Sequence, residues 1–271
     1  DSRVLHLYVA CNHCHTPVHV RVDVYNDLTL EYDDREQAVG YVLRKEIMDA
    51  RCFRLMHAEI LFDTPAASEY DGIEFLEFAV DESLGAKLTH WLERLGFVKA
   101  GQHRSKNVSL LRQGDINLIL NAEPYSFAHN FFEAHGPSLC ATAMRVKDSA
   151  KALERAVAYK GQPYRGLVGP NELELAAVRA PDGSLIYLVD QSEGGIYDTD
   201  FNLQPGAATS GGLLRIDHMA MALPADSLDS WVLFYKSLLD FEADDEVVLP
   251  DPYGLVKSRA LRSRCSSIRL P

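Results

Sequence analysis

Leu214-Arg215-Ile216-Asp217-His218-Met219-Ala220-Met221-Ala222 decides the fold once it is set beside Ile73-Glu74-Phe75. Side chains alternate across a strand, so Ile216, His218 and Ala220 share one face and the imidazole is aimed into whatever that face covers. Ile73-Glu74-Phe75 followed by Leu95-Gly96-Phe97 is mirrored by Ile216-Asp217-His218 followed by Leu239-Asp240-Phe241, at a separation of 143 to 144 residues. Self-similarity at a fixed spacing marks a tandem duplication, with the second copy cut roughly in half.

Working outward, residues 73–80 read as a strand, 84–95 as an amphipathic helix closed by Gly96, and 97–100, 108–112 and 116–120 as three strands. The β-α-β-β-β order then recurs. Residues 139–146 predict a strand and 150–159 a helix ended by Gly161, with strands 172–179 and 185–189 around the Pro181-Asp182-Gly183 turn. A Gly/Ala/Ser run at 206–212 precedes a third start: strand 214–223, helix 228–239, and strands from Phe241, Gly254 and Ser267. Ahead of all this, residues 18–25 predict a strand. A helix is expected from about Asp34 to Cys52, with Asp33 or Asp34 as N-cap and Ala38, Tyr41, Val42 and Ile47 as its apolar stripe. Thr64-Pro65-Ala66-Ala67-Ser68 reads as a linker. The expected domains are therefore 1–67, 68–205 and 206–271.

A length of 271 residues with 47% hydrophobic content is enough for more than one core. The net charge of -12 is spread along the chain and lacks the basic footprint of a nucleic-acid binder. No apolar run is long enough to cross a bilayer, and no signal-peptide pattern opens the chain, so a cytoplasmic protein without membrane or nucleic-acid partners is expected. Five cysteines, an odd number, agree with reduced thiols in that compartment. The chain begins at Asp1 and stops at Pro271 directly after a strand-like run, the pattern expected of a fragment.

Three short segments carry a sharper likeness: His103-Arg104-Ser105-Lys106-Asn107-Val108, Arg112-Gln113-Gly114-Asp115-Ile116-Asn117-Leu118-Ile119-Leu120-Asn121 and His135-Gly136-Pro137-Ser138. With Arg145-Val146-Lys147-Asp148-Ser149, Tyr197-Asp198-Thr199-Asp200-Phe201 and Ile216-Asp217-His218, they resemble the bacterial 4-hydroxyphenylpyruvate dioxygenase family of the vicinal-oxygen-chelate superfamily, in the family's order. The stretch Val247-Val248-Leu249-Pro250-Asp251-Pro252-Tyr253-Gly254-Leu255-Val256-Lys257-Ser258-Arg259-Ala260-Leu261-Arg262-Ser263 is similar to the dioxygenase-like half of bacterial fusion proteins. In those, a sugar-isomerase-like barrel with 3-dehydroshikimate dehydratase activity comes first.

The resemblance implies an α+β fold of tandem βαβββ, glyoxalase-like modules, preceded in residues 1–67 by the end of a TIM-type barrel. It implies Fe(II) held by two histidines and a glutamate, and conversion of a 2-keto acid plus oxygen to a homogentisate-type product. His218 matches the first iron ligand, and the other two match segments beyond Pro271. Phe75 stands in the same slot of the earlier repeat, in agreement with a metal-free first domain. Ser258 and Pro271 match substrate-pocket positions. Asp23, in Val20-Arg21-Val22-Asp23-Val24-Tyr25, falls where the barrel family has a metal-binding glutamate, so a divalent metal is implied there. The full-length parent would act on a small aromatic or cyclic acid and form a homo-oligomer. A competing reading is a non-catalytic module that supports or dimerises the dehydratase barrel.

Other motifs have plainer readings. Cys11-Asn12-His13-Cys14-His15 fits the C-x-x-C-H pattern of haem attachment and, with His19, a zinc cluster. Haem attachment requires export, and zinc wants a second ligand pair, so a barrel-derived remnant is the simpler expectation. His103-Arg104-Ser105-Lys106 reads as a solvated turn, and Gly166-Leu167-Val168-Gly169 is too short for a phosphate cradle. Cys140 reads as a small buried hydrophobe.

Overall fold

The computed structural model describes residues 4–11, 13–23, 27–32, 38–48, 51–53, 55–63, 70–190, 195–204, 211–224, 226–252 and 254–270. The chain divides into two units, Asp1–Ala67 and Ser68–Pro271.

In the first unit, β1 (Val4–Ala10) and β2 (Pro17–Asp23) form an antiparallel hairpin. Strands β3 (Leu28–Tyr32), β4 (Ala38–Met48) and β5 (Leu55–Asp63) form an antiparallel sheet. Alternation puts Leu7, Val9, Val18, Val20 and Val22 on one face of the hairpin, where they pack against Leu43, Ile47, Met56 and Ile60 of the sheet. The helix expected over 34–52 is instead mostly β4. Leu, Arg, Lys and Glu favour a helix locally, but Leu43 and Ile47 lie opposite Ile60 and Met56 across the strands, and Arg44 pairs with Glu59 at 3.1 Å. Cross-strand contacts of this kind override a weak local preference. The described strands of this unit all pair antiparallel.

The second unit begins with β6 (Tyr70–Ala79), α1 (Glu82–Arg94), β7 (Val98–His103), β8 (Val108–Gln113) and β9 (Ile116–Asn121). Asp81 caps α1 by accepting the Leu84 N–H at 2.7 Å. After α2 (Phe127–His135) comes a second set: β10 (Ser138–Val146), α3 (Ser149–Ala158), β11 (Pro163–Tyr164), β12 (Ala176–Arg179) and β13 (Leu185–Val189). A short helix, α4 (Ile196–Asp200), leads into β14 (Phe201–Leu203). The strands join in one nine-stranded sheet in the order β11-β12-β13-β10-β6-β9-β8-β7-β14. In each module the first strand runs parallel to the last, β6 to β9 and β10 to β13, and the two first strands pair antiparallel at the centre. The duplicated halves thus share one sheet. Helix α2 packs on it through Ala128 and Phe131, which meet Ala79 and the buried Cys140.

The third start supplies α5 (Leu228–Leu239), β15 (Glu242–Ala243), the hairpin β16 (Val247–Asp251) and β17 (Gly254–Ser258), then β18 (Leu261–Arg262) and β19 (Arg269–Leu270). Helix α5 buries Trp231, Val232, Phe234, Tyr235, Leu238 and Leu239 in one core with Ala152 and Ala156 of α3 and Ile186 and Leu188 of β13. The strand expected over 214–223 is irregular backbone. Its counterpart β6 lies between two ladder partners, whereas this segment has isolated bonds: Leu214 C=O accepts from Asp115 N–H at 2.7 Å, and Met219 N–H donates to Arg269 C=O at 3.1 Å. Without a neighbouring ladder, period-two sequence does not hold a strand.

Candidate functional site

Phe75, in the slot that mirrors His218, is 2% exposed and packs with Val108, Leu110, Ile119, Ala143 and Phe201. The slot is filled by core. Beside it lies a cavity of about 160 Å³, reached by Glu77, His103, Lys106, Glu172 and Asp200. The Glu172 carboxylate accepts from Lys106 Nζ at 2.7 Å, from the Gly169 N–H at 2.6 Å and from the Ser105 hydroxyl. Burial pushes this carboxyl up, but the Lys106, Ser105 and Gly169 hydrogen bonds outweigh it and hold it at about 2. Glu77 is the opposite case: burial raises its pKa, against the opposing pull of the Asn121 amide that donates to it at 2.6 Å. Burial also raises Asp200 and lowers His103. One carboxylate is thus kept charged and two others are pushed toward their neutral forms.

The turn at 103–106 is therefore more than solvated surface. Arg104 donates to Asn171 C=O at 2.7 Å and Lys106 to Leu167 C=O at 3.3 Å, so the turn is latched to the 166–172 loop. Sequence reading had put Glu172 at the start of a strand. The strand begins at Ala176, and Glu172 turns inward instead. A carboxylate three residues after Gly169 was the available signal, but its partners lie 66 and 67 residues away.

His218 lies on the irregular segment with its side chain 53% exposed, and its Nδ1 is 2.8 Å from Asp217 Oδ2. Asp217 also pairs with Arg269. Among the described residues, no set of three histidine, cysteine or carboxylate ligands includes His218. A facial iron triad needs two further ligands, so the residues described around His218 do not by themselves fit that ion. Ser258, half-buried at the end of β17, lines a separate cavity of about 690 Å³ with Met221, Trp231, Tyr235 and Leu255. His218 does not line it. Asp23 ends β2 opposite Val4, with its side chain outside the described residues, and Pro271 lies outside them altogether. No helix among the described residues is long and apolar enough to cross a membrane.

Comparison with known proteins places this geometry. A 3-dehydroshikimate dehydratase of Pseudomonas putida is 74% identical over 214 residues, covering 78% of this chain and 34% of that protein. A 4-hydroxyphenylpyruvate dioxygenase of Pseudomonas sp. is 40% identical over 205 residues, 74% of this chain and 57% of that protein. The chain spans about a third of the length of the dehydratase relatives it matches. Among solved structures, a xylose isomerase-like TIM barrel/4-hydroxyphenylpyruvate dioxygenase fusion protein matches with TM-score 0.68 and 71% identity, over 78% of this chain and 33% of that one. A 4-hydroxymandelate synthase variant from Streptomyces coelicolor shares the fold at TM-score 0.62 and 20% identity, over 74% of this chain and 62% of that one. The family described as hydroxyphenylpyruvate dioxygenase, HPPD, N-terminal matches residues 62–202. With more than half of its residues inside that match, and with paired βαβββ modules in one sheet, the chain belongs to the hydroxyphenylpyruvate dioxygenase N-terminal family.

Proposed function

We propose that this chain is the dioxygenase-like portion of a longer enzyme of the 3-dehydroshikimate dehydratase type. The observation that carries this reading is the 74% identity to such a dehydratase across 78% of the chain. In the parent, a barrel dehydrates 3-dehydroshikimate with the help of a divalent metal. The dioxygenase-like half takes a small 2-keto acid and oxygen, with Fe(II) as the group that activates oxygen. This chain contributes His218 to that iron and Ser258 to the substrate pocket, and the parent works as a cytoplasmic homo-oligomer.

A second reading has its own support: the dioxygenase-like half is a non-catalytic scaffold for the barrel. It is favoured by the Phe75-filled slot and, among the described residues, by a His218 held by Asp217 and not grouped with further ligands. Oxygen uptake with 4-hydroxyphenylpyruvate and formation of the dehydrated product from 3-dehydroshikimate, measured on the iron-loaded parent, separate the two. The first reading expects both activities, with oxygen uptake abolished by His218→Ala and dehydration retained. Dehydration with no oxygen uptake favours the scaffold, and absence of both sinks the parentage. The 271-residue chain alone is expected to show neither activity.

A further inference from the structure

Residues 1–67 hold a second feature, independent of the dioxygenase reading. Cys11 and Cys14 sit where the β1–β2 hairpin turns back, and Cys52 sits in the turn between β4 and β5. Packing of the hairpin on the sheet brings the three sulfurs within 4.8 Å of one another. Cys11 is fully buried and Cys14 and Cys52 are half-buried. We propose that these thiols form a zinc site.

Geometry carries the assignment. Tetrahedral zinc with Zn–S bonds of about 2.3 Å sets neighbouring sulfurs about 3.8 Å apart. Cys11 Sγ and Cys52 Sγ are 3.7 Å apart, well beyond the roughly 2.05 Å of a disulfide. The turns match as well. His15 follows Cys14 with φ 55°, and Phe53 follows Cys52 with φ 52°. A left-handed conformation is disfavoured for a non-glycine residue, so each turn holds its cysteine at some expense. Backbone bonds close the first turn: Cys11 N–H donates to Thr16 C=O at 2.9 Å and His15 N–H to Cys11 C=O at 2.8 Å. Spacing alone could not supply this site, because C-x-x-C offers two ligands and the third comes from another sheet. His19 does not join them. Its Nε2 is 2.7 Å from His6 Nδ1, and the two rings stack on the outer face of the hairpin. Among the described residues no imidazole or carboxylate completes the group. Soft thiolates select zinc over the hard cations.

The test is a titration of the reduced, metal-stripped 271-residue chain with Co²⁺ and then Zn²⁺. The expected result is a near-ultraviolet thiolate-to-cobalt charge-transfer band with visible bands of tetrahedral cobalt, bleached by one equivalent of Zn²⁺. Cys14→Ser and Cys52→Ser should each weaken zinc, in competition with a chromogenic chelator, by more than the roughly 10–100-fold typical of outer-shell changes. Cys265→Ser, an exposed thiol in the second unit, should leave it unchanged. No charge-transfer band with the wild-type thiols reduced, or an affinity untouched by Cys52→Ser, overturns the proposal. The wild-type titration does not depend on how any variant folds.

Discussion

Glu172 shows how one side chain can govern a turn. Three donors surround a carboxylate whose side chain is 5% exposed, and its pKa sits at about 2 against an ordinary 4.5. A carboxyl depressed in the folded state contributes stability that is complete above its unfolded pKa and is lost as pH falls through the folded one. Glu172→Gln should therefore cost about 1.5–3 kcal/mol at neutral pH, the range for hydrogen bonds to a charged group. Urea midpoints should show the gap to wild type closing between pH 4.5 and 2; a gap constant with pH would refute the charge-based account. None of this was legible in the sequence, because the partners are distant along the chain. Phe75 was legible, since an aromatic on the apolar face of a repeat strand has few other places to go.

At the scale of elements, helix ends decide how the modules pack. Lys160, not a glycine, takes the left-handed position after α3, with φ 69°. Its N–H donates to Val157 C=O at 2.9 Å, and the Gly161 N–H to Ala156 C=O at 2.8 Å, which is a Schellman closure. Gly161 is needed for a different reason. A Cβ there would lie 2.5 Å from Leu238 of α5 and 2.9 Å from the Ala156 carbonyl oxygen. Leucine can move aside, but the backbone oxygen cannot. Gly161→Ala is expected to destabilise by about 1–3 kcal/mol, whereas Lys160→Gly, which relieves the left-handed strain, should stabilise by up to about 1 kcal/mol. Chemical denaturation of both variants checks the opposite signs. The reading of Gly161 as a helix stop thus found the right place, and the crowding around its Cα adds a second reason for glycine there. Helices α1, α3 and α5 were readable because each needs only its own apolar stripe and caps. Strand β4 was not, because its assignment rests on pairs made with β3 and β5.

For the whole molecule, the chain divides into two units, and Val20, Val22, Leu43 and Ile47 form the buried cluster described within the first. Separate cores unfold as separate cooperative units. Val22→Ala, at a fully buried position of the first core, should lower amide protection in β1–β5 by about 2 kcal/mol and leave β6 and β10 unchanged. Hydrogen exchange that fell in both units together would show a single cooperative unit.

The sequence alone determined the repeat, the module order over residues 70–189 and the kinship those motifs carry, because periodicity and capping are local properties that a chain displays without folding. Tertiary structure alone decided that β4 is a strand, that His218 stands on irregular backbone beside Asp217, that Glu172 latches the 103–106 turn, and that Cys52 meets Cys11 and Cys14. Each of these depends on contacts between residues far apart in the chain, and such pairings leave no periodic trace along it.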